Sequence, residues 1–349
     1  MNDMIESGMH RISEAALNEL ASSALTAYGM PQVDAVDAAG VLVLADMFGI
    51  HTHGVSRIAS YGERLDLGGI NRTPNIEVMQ AAPGLVMIDG DNGVGTLIGA
   101  RALDAVMKAA RETGIAAGFV RGSNHFGPII PYGWRAAEAG FASIIASNAT
   151  TTIAPTGGRD ARLGNNPMAF AMPNPGGMPI ILDMALSVVA RAKIRDARDR
   201  GEAIPDTWAT DRDGFPTTDP AAALDGILLP IGGYKGYGLS VMVDLFAGML
   251  SGAAFLTGVK SWVDSPGEPQ NLGHFFILID TSRLALAADL ASRMAAFAAI
   301  IHATPPADPQ RPVMLAGENE LRNLTRSRAD GILLPAKLVE SLKKKAAGR

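Results

Sequence analysis

Cysteine is absent from all 349 residues. That excludes disulfides, thiolate metal centres and a cysteine nucleophile, and it fits a cytoplasmic protein. Basic charge is also in short supply: 30 Lys and Arg stand against 35 Asp and Glu, a net charge of -5. A general nucleic-acid binder would show a basic stripe instead. No uninterrupted apolar run of membrane length occurs. The most apolar window, Tyr237 to Leu256, contains Asp244 and several small residues, which predicts a buried helix rather than a membrane span. Met1 to His10 holds two acids and no apolar core, so no signal peptide is expected there. Short-period repeats are lacking, and the basic Lys343-Lys344-Lys345 reads as a solvated helix end.

What is present is a chain 48% apolar and 19% charged, enough for a sizeable core in two domains or one large one. Ser13 before Glu14, with Ala16, Leu17, Leu20, Ala24 and Leu25, predicts an amphipathic helix with an N-cap. Gly29 ends it, Pro31 stands near the start of the next helix, and that second helix runs from about Asp34 to Phe48. It delivers the chain to His51-Thr52-His53-Gly54-Val55-Ser56-Arg57-Ile58-Ala59-Ser60-Tyr61. If the stretch after Gly54 is helical, His53, Arg57 and Tyr61 lie four apart and share one face. Such a face offers a proton donor, a carboxylate clamp and a further polar group; the alternative is a polar helix start at the surface.

Leu85 to Asp89, the turn Gly93-Val94-Gly95-Thr96-Leu97-Ile98-Gly99, a helix through Ala110 and the apolar run Ile115 to Val120 form a strand–helix–strand pattern. It falls short of a dinucleotide fingerprint. An extra residue precedes the third glycine, and no acid ends the second strand. The glycines therefore read as a tight turn with close helix packing. Arg121 to Pro128 is a loop at a strand exit and carries His125, flanked by Asn124 and Phe126; such loops collect binding groups. From Ala142 to Asp183 short strands (Ser143–Ser147, Met168–Met172, Ile180–Leu182) alternate with Gly and Pro turns, which predicts a mixed sheet with much antiparallel pairing. Ser187 to Ala197 reads as a helix, and Asp213-Gly214 as a turn. Pro230 to Gly238 brings Lys235 into a glycine-rich loop at a helix start. That arrangement attracts anions, although it is not a Walker loop and also fits a flexible turn with a surface lysine. Gly273-His274 opens a strand, and an Ala-rich helix spans about Ser282 to His302. His10, His274 and His302 stand alone and read as structural or exposed.

Several stretches along the chain belong together. They are His53-Gly54-Val55-Ser56-Arg57; Ser123-Asn124-His125-Phe126-Gly127; Ala154-Pro155 with Gly157-Gly158; and Leu163-Gly164 with Asn166 to Phe170. Leu182 to Ala185 with Ser187 to Arg191, Gly232-Gly233 with Lys235 to Leu239, and Gly317-Glu318 complete the set. Taken together and in this order, over nearly the whole chain, they resemble the malate/L-lactate dehydrogenase family, which includes ureidoglycolate and sulfolactate dehydrogenases, diketogulonate reductase and a cyclic imino acid reductase.

The resemblance implies an α/β fold. A non-Rossmann nucleotide-binding domain with a mixed, largely antiparallel sheet would accompany a helical N-/C-terminal domain. The helical domain would comprise residues 1–75 with 305–349 and carry the acid/base histidine. Residues 76–304 would form the α/β region, with NAD(P) bound within approximately 120–290. It further implies a homodimer and reversible hydride transfer between NAD or NADP and a small 2-hydroxy/2-oxo acid, or the C=N analogue in a cyclic imino acid. By position His53 would be the acid/base and Arg57 the partner of the substrate carboxylate, with Thr52 and Tyr61 nearby. His125 stands where the family has a second active-site histidine. The cofactor would be held by Gly177, Met178, Pro179, Ile180, Ile181, Leu182, Asp183, Met184 and Ala185, by Lys235 and Gly236, and by Ala316, Gly317 and Glu318. Asp183 has an alternative role, supporting an active-site group.

This chain departs from the family pattern at His51, at Thr52 (commonly Ser), at Ala149 (often a cofactor-contacting Ser), at Asn165 and at Ala316. Neither substrate nor the choice between NAD and NADP is legible.

The residue set suits the chemistry. An imidazole titrates near neutrality and serves as acid or base, and a guanidinium offers two parallel donors to a carboxylate. Two other classes fit the same residues: a metal-dependent hydrolase using His51, His53 and His125, and a non-catalytic nucleotide sensor. The dehydrogenase reading itself calls for no metal, no nucleic acid and no membrane.

Overall fold

The Ala16 N–H donates to the Ser13 hydroxyl at 3.3 Å, and the first helix starts there as its capping pattern predicts. The computed structural model describes residues 5–6, 8–284 and 287–348. The chain begins with β1 (Ile5–Glu6), β2 (Met9–Ile12), α1 (Glu14–Thr26), α2 (Gln32–Met47) and α3 (Ile58–Asp66). Next come β3 (Glu77–Ala82), β4 (Leu85–Asp89), α4 (Gly95–Thr113), β5 (Ile115–Ser123), α5 (Ile130–Glu138) and β6 (Phe141–Ser147). The middle holds β7 (Thr151–Ile153), β8 (Leu163–Gly164), β9 (Met168–Met172), β10 (Ile180–Met184), α6 (Arg191–Arg200), α7 (Pro220–Asp225) and α8 (Tyr234–Asp244). β11 (Leu272–Asp280), α9 (Leu290–His302), α10 (Glu318–Asp330), β12 (Ile332–Pro335) and α11 (Ala336–Ala346) close the chain.

Seven strands form one sheet in the order β10-β9-β6-β11-β5-β4-β3. Neighbours are antiparallel except β4 and β5, which run parallel. The crossover that a parallel pair requires is α4. The sheet is thus mixed, as the short, closely spaced strands predict. Leu103 and Val106 of α4 and Tyr132 and Ala136 of α5 pack with Ile145 and Phe276 of the sheet. A second sheet, β1-β2-β12, sets Ile332 opposite Ile12. Leu17, Leu25 and Leu42 share a core with Leu321 and Leu342, so α1 and α2 pack with the last two helices.

Three expectations need correction. Ser187 is not helical: it forms a β-bridge with Pro230, and the Val188 N–H donates to the Leu229 carbonyl at 2.9 Å, delaying α6 to Arg191. The Ala-rich helix begins at Leu290 rather than Ser282, because the Asp280 carboxylate accepts the Ser282 N–H and fixes a separate 3-10 turn. Residues 285 and 286 of that expected helix lie outside the described ones. The apolar stretch from Tyr237 is α8 followed by a π-helical turn over Leu245–Met249, and it is not buried all round. Leu239, Met242, Leu245, Met249 and Leu250 are exposed. Among the described residues no helix is long and apolar enough to cross a membrane.

Candidate active site

The site grows out of the end of α2. Asp46, in the last turn, is buried, and its carboxylate accepts the Val55 N–H at 2.7 Å and bonds His51 Nδ1 at 2.9 Å. Gly54 lies against it: a Cβ there would come within 2.2 Å of the carboxylate. The chain therefore does not continue as one helix. His51–His53 and Val55–Arg57 are two 3-10 turns separated by an extended Gly54, and α3 starts only at Ile58. The single helical face expected for His53, Arg57 and Tyr61 is corrected accordingly. Burial raises the Asp46 carboxyl, opposed by its bonds from His51 and Val55, while the bond to Asp46 raises the His51 imidazole.

His53 Nδ1 bonds the Thr52 hydroxyl at 2.9 Å, and Arg57 Nε donates to the Thr52 carbonyl at 2.6 Å. Burial and the nearby Arg57 charge push His53 down to about 4. Its ring stacks on His125, with centroids 5.4 Å apart and planes 30° from parallel. His125 arrives from the loop between β5 and α5, and its Nδ1 bonds the Tyr61 hydroxyl at 2.8 Å. Burial, then the charges of His53, Arg57 and His274, hold His125 well below the usual imidazole range. Tyr61, fully buried, is pushed above the usual phenol range chiefly by burial. The His125 loop is fixed from behind by Gly95, whose Cβ would meet the Asn124 carbonyl at 2.1 Å and that of His125 at 2.5 Å. That contact places the loop's backbone against the start of α4 and gives the glycine turn its packing role.

The structure thus brings together His53, His125, Tyr61, Thr52 and Arg57. It turns His51 away, toward Asp46 and a cleft shared with Asn323 and Arg326. Among the described residues no group of three or more His, Asp or Glu is placed to hold a metal ion. His274 is buried and structural: its nitrogens bond the Ser147 and Ser123 hydroxyls at 2.8 and 2.7 Å, and burial pushes it down to about 3. His10 is buried as well. His302 does not stand alone, since Nε2 meets the Glu318 carboxylate at 2.8 Å.

Two of the candidate cofactor segments, Gly177–Ala185 and Ala316–Glu318, meet along β10, an edge strand. The Ile181 N–H donates to the Ala316 carbonyl at 3.1 Å. Gly317, at φ 78°, packs so closely that a Cβ would sit 2.4 Å from the Ile181 carbonyl. Beyond β10 the chain runs beside the segment entering α8, the Ile231 N–H donating to the Leu186 carbonyl at 3.0 Å. This places exposed Lys235 and buried Gly236 on the following helix start. Gly177 to Pro179 form the turn before β10, where Asn174 Nδ2 donates to the Met178 carbonyl at 2.9 Å. Ile180 and Leu182 line a cavity of about 310 Å³ with Phe170 and Ala316. Met184 and Ala185 follow.

Two acids in these segments are already engaged. Asp183 Oδ2 accepts the Ile129 and Ile130 N–H groups at 2.9 and 2.8 Å, anchoring the start of α5, and burial raises it to about 6. The Glu318 carboxylate accepts the Leu315 N–H at 2.9 Å and bonds His302 and Arg322. Sequence reasoning missed Asp46 and Trp262. The first had one signal, a lone acid late in an apolar helix. Trp262 stands in a polar loop and had none, yet its ring lies 5.5 Å from Tyr61 and 5.7 Å from His125.

A sequence model described as malate/L-lactate dehydrogenase matches residues 12–343. The chain is 40% identical over 264 residues to a malate dehydrogenase of Pyrococcus horikoshii, covering 73% of this chain and 72% of that protein. It is 38% identical over 270 residues to a ureidoglycolate dehydrogenase (NAD(+)) of Escherichia coli K12, covering 77% of each. The solved structure of a delta1-piperideine-2-carboxylate reductase from Pseudomonas syringae superposes with a TM-score of 0.87 at 31% identity, covering 96% of this chain and 99% of that one. With these relatives the chain is an oxidoreductase acting on CH–OH groups. The chain belongs to the malate/L-lactate dehydrogenase family.

Proposed function

We propose that this chain is a nicotinamide-dependent dehydrogenase moving a hydride reversibly between NAD(P)H and a small 2-oxo acid. The observation that carries the reading is the stacked His53–His125 pair beside Arg57, two imidazoles and a guanidinium at one half-buried corner. The Gly177–Ala185, Lys235–Gly236 and Ala316–Glu318 segments would hold the nicotinamide cofactor, which would supply the hydride to the carbonyl carbon in reduction and accept it in oxidation. The residues fit such a cofactor: Lys235 at a helix start suits phosphate, and the apolar cavity beside Phe170, Ile180 and Leu182, toward the Ile279 end of the sheet and away from the His125 loop, suits the dinucleotide's other flat ring rather than nicotinamide. Gly177 to Ala185, Gly236 and Ala316 to Glu318 complete the cradle. Asp183 and Glu318 contribute by holding α5 and the 315–318 loop.

Arg57 pairs with the substrate carboxylate. As the carbonyl π electrons move to oxygen, His53 delivers a proton there, and in the reverse direction it removes that proton from the hydroxyl. Burial first, and the Arg57 charge second, keep His53 neutral at pH 7 and ready as a base. A bound carboxylate cancels part of the Arg57 charge and raises His53 toward the range where it donates. Thr52 sets the imidazole's orientation through Nδ1, and Tyr61 does the same for His125.

The helical part, residues 1–75 with 305–349, carries His53 and the Ala316–Glu318 side of the cradle, and the α/β part, residues 76–304, carries the rest of it. The exposed apolar side of α8 supports a homodimer, and the cysteine-free sequence supports a cytoplasmic setting. The likeness to a piperideine-carboxylate reductase favours a second reading, reduction of a cyclic imino acid at the same site. The test is a panel of 2-oxo acids and cyclic imine carboxylates with NADH and NADPH, followed by nicotinamide absorbance. Turnover of at least one supports the reading; turnover of none with either nicotinamide would overturn it.

A further inference from the structure

The strap between α8 and β11 carries Trp262 to the site and is held there by one buried side chain. Arg64 of α3 is 1% exposed. Its terminal nitrogens donate to the carbonyls of Trp262 and Ser265 at 3.2 Å and of Glu268 at 2.6 Å. The same guanidinium sits 4.6 Å from the centroid of the Trp262 ring, a cation–π contact. Gly69 admits the strap closely, since a Cβ there would meet the Pro266 carbonyl at 2.1 Å. At the strap's ends, Gln270 Nε2 donates to the Lys260 carbonyl at 3.0 Å, and Lys260 pairs with Glu268 at 3.3 Å. The indole therefore has a fixed place. Its edge contacts with Tyr61 and His125 make it a wall of the cluster that holds His53 and Arg57.

We propose that Trp262 is a specificity-determining residue. It favours substrates with one carboxylate and an apolar or cyclic remainder over those bearing a second anionic group. The inference rests on the reading of the site as a 2-oxo or imino acid dehydrogenase. Arg57 answers the first carboxylate. The other guanidinium beside the cluster, Arg64, has its terminal nitrogens taken up by three backbone carbonyls and its face covered by the indole. A second anion against Trp262 and His125 would lose water without gaining a cation, whereas an apolar group gains contact. A ring or branched chain packs against the flat indole at little conformational cost.

The test compares kcat/KM for 4-methyl-2-oxovalerate and oxaloacetate, which share a shape beyond the carbonyl and differ in charge. A cyclic imine, 1-pyrroline-2-carboxylate, is the third probe. The wild type should favour the monocarboxylates, and Trp262→Phe should keep that preference. Trp262→Arg should move the ratio toward oxaloacetate by about tenfold or more. Trp262→Ala should raise KM for the branched acid more than it lowers kcat. A wild-type preference for oxaloacetate, or a ratio unmoved in Trp262→Arg, overturns this inference and leaves the dehydrogenase reading standing. Turnover of none of the three by the wild type with either nicotinamide overturns both. Retained turnover in Trp262→Phe separates a lost wall from a lost fold.

Discussion

Gly54 has no side chain because Asp46 occupies the place of one: a Cβ at 54 would come within 2.2 Å of the Asp46 carboxylate. That contact breaks the helix between the two 3-10 turns and turns His51 and His53 to different surroundings, one toward Asp46 and the other toward His125. Gly54→Ala should therefore displace the Asp46 carboxylate or the His53 turn. Overpacking of this kind costs about 1–3 kcal/mol, and we expect a matching drop in urea-unfolding stability together with a lower kcat. A variant as stable and as active as the wild type would show that the close approach does not matter.

Asp46→Asn keeps the shape and removes the charge. The buried carboxylate accepts from both Val55 and His51, and hydrogen bonds to a charged group are worth about 1.5–3 kcal/mol. Stability at pH 7 should fall, and the elevated pKa of His51, followed by NMR, should return toward that of free imidazole. An unchanged His51 titration would contradict the pairing.

Much of this fold is legible in the sequence. Ser13 caps α1, and the strands Leu85–Asp89 and Met168–Met172 lie where their short apolar runs place them. The clustering of His53, Tyr61 and His125 was legible only in part. Spacing by four pointed to one helical face, but the contact is made through a loop 64 residues on. Periodicity cannot see a buried carboxylate breaking a helix from behind, as Asp46 does. Nor does it register a tryptophan brought in by the carbonyl bonds of Arg64, about 200 residues before it in the chain. The helix misplaced at Ser187 fails for a similar reason: a bridge to Pro230 overrides local propensity.

Arg57→Lys should raise KM for the substrate far more than it lowers kcat, because an ammonium lacks the two parallel donors of a guanidinium. Arg57 Nε also donates to the Thr52 carbonyl, so a modest fall in kcat from a looser Thr52–His53 turn is expected too. Steady-state kinetics decide this. An unchanged KM would remove Arg57 as the carboxylate partner.

Acid should destabilise the protein through its buried histidines. His274 has a folded pKa of about 3 and His53 of about 4, both below the ordinary 6.5. Between those values and 6.5 the unfolded chain binds more protons, so stability rises with pH across the window and is lost as pH falls. Asp183, raised to about 6, works the other way: its contribution is present below 3.8 and is lost as pH rises through 6. Thermal melting from pH 7 to pH 4 should show a net fall. His274→Gln, whose amide can reach Ser123 and Ser147 at its two ends, should flatten that fall; an identical pH profile would contradict the assignment.

The central claim is that His53 carries the proton. It is tested most directly by kcat for His53→Ala on a turned-over 2-oxo acid, measured beside the Kd for the nicotinamide cofactor by fluorescence. Loss of a positioned acid/base should lower kcat by about 10²- to 10⁴-fold while the Kd stays near the wild-type value. An unchanged kcat would contradict the account and move the proton to His125.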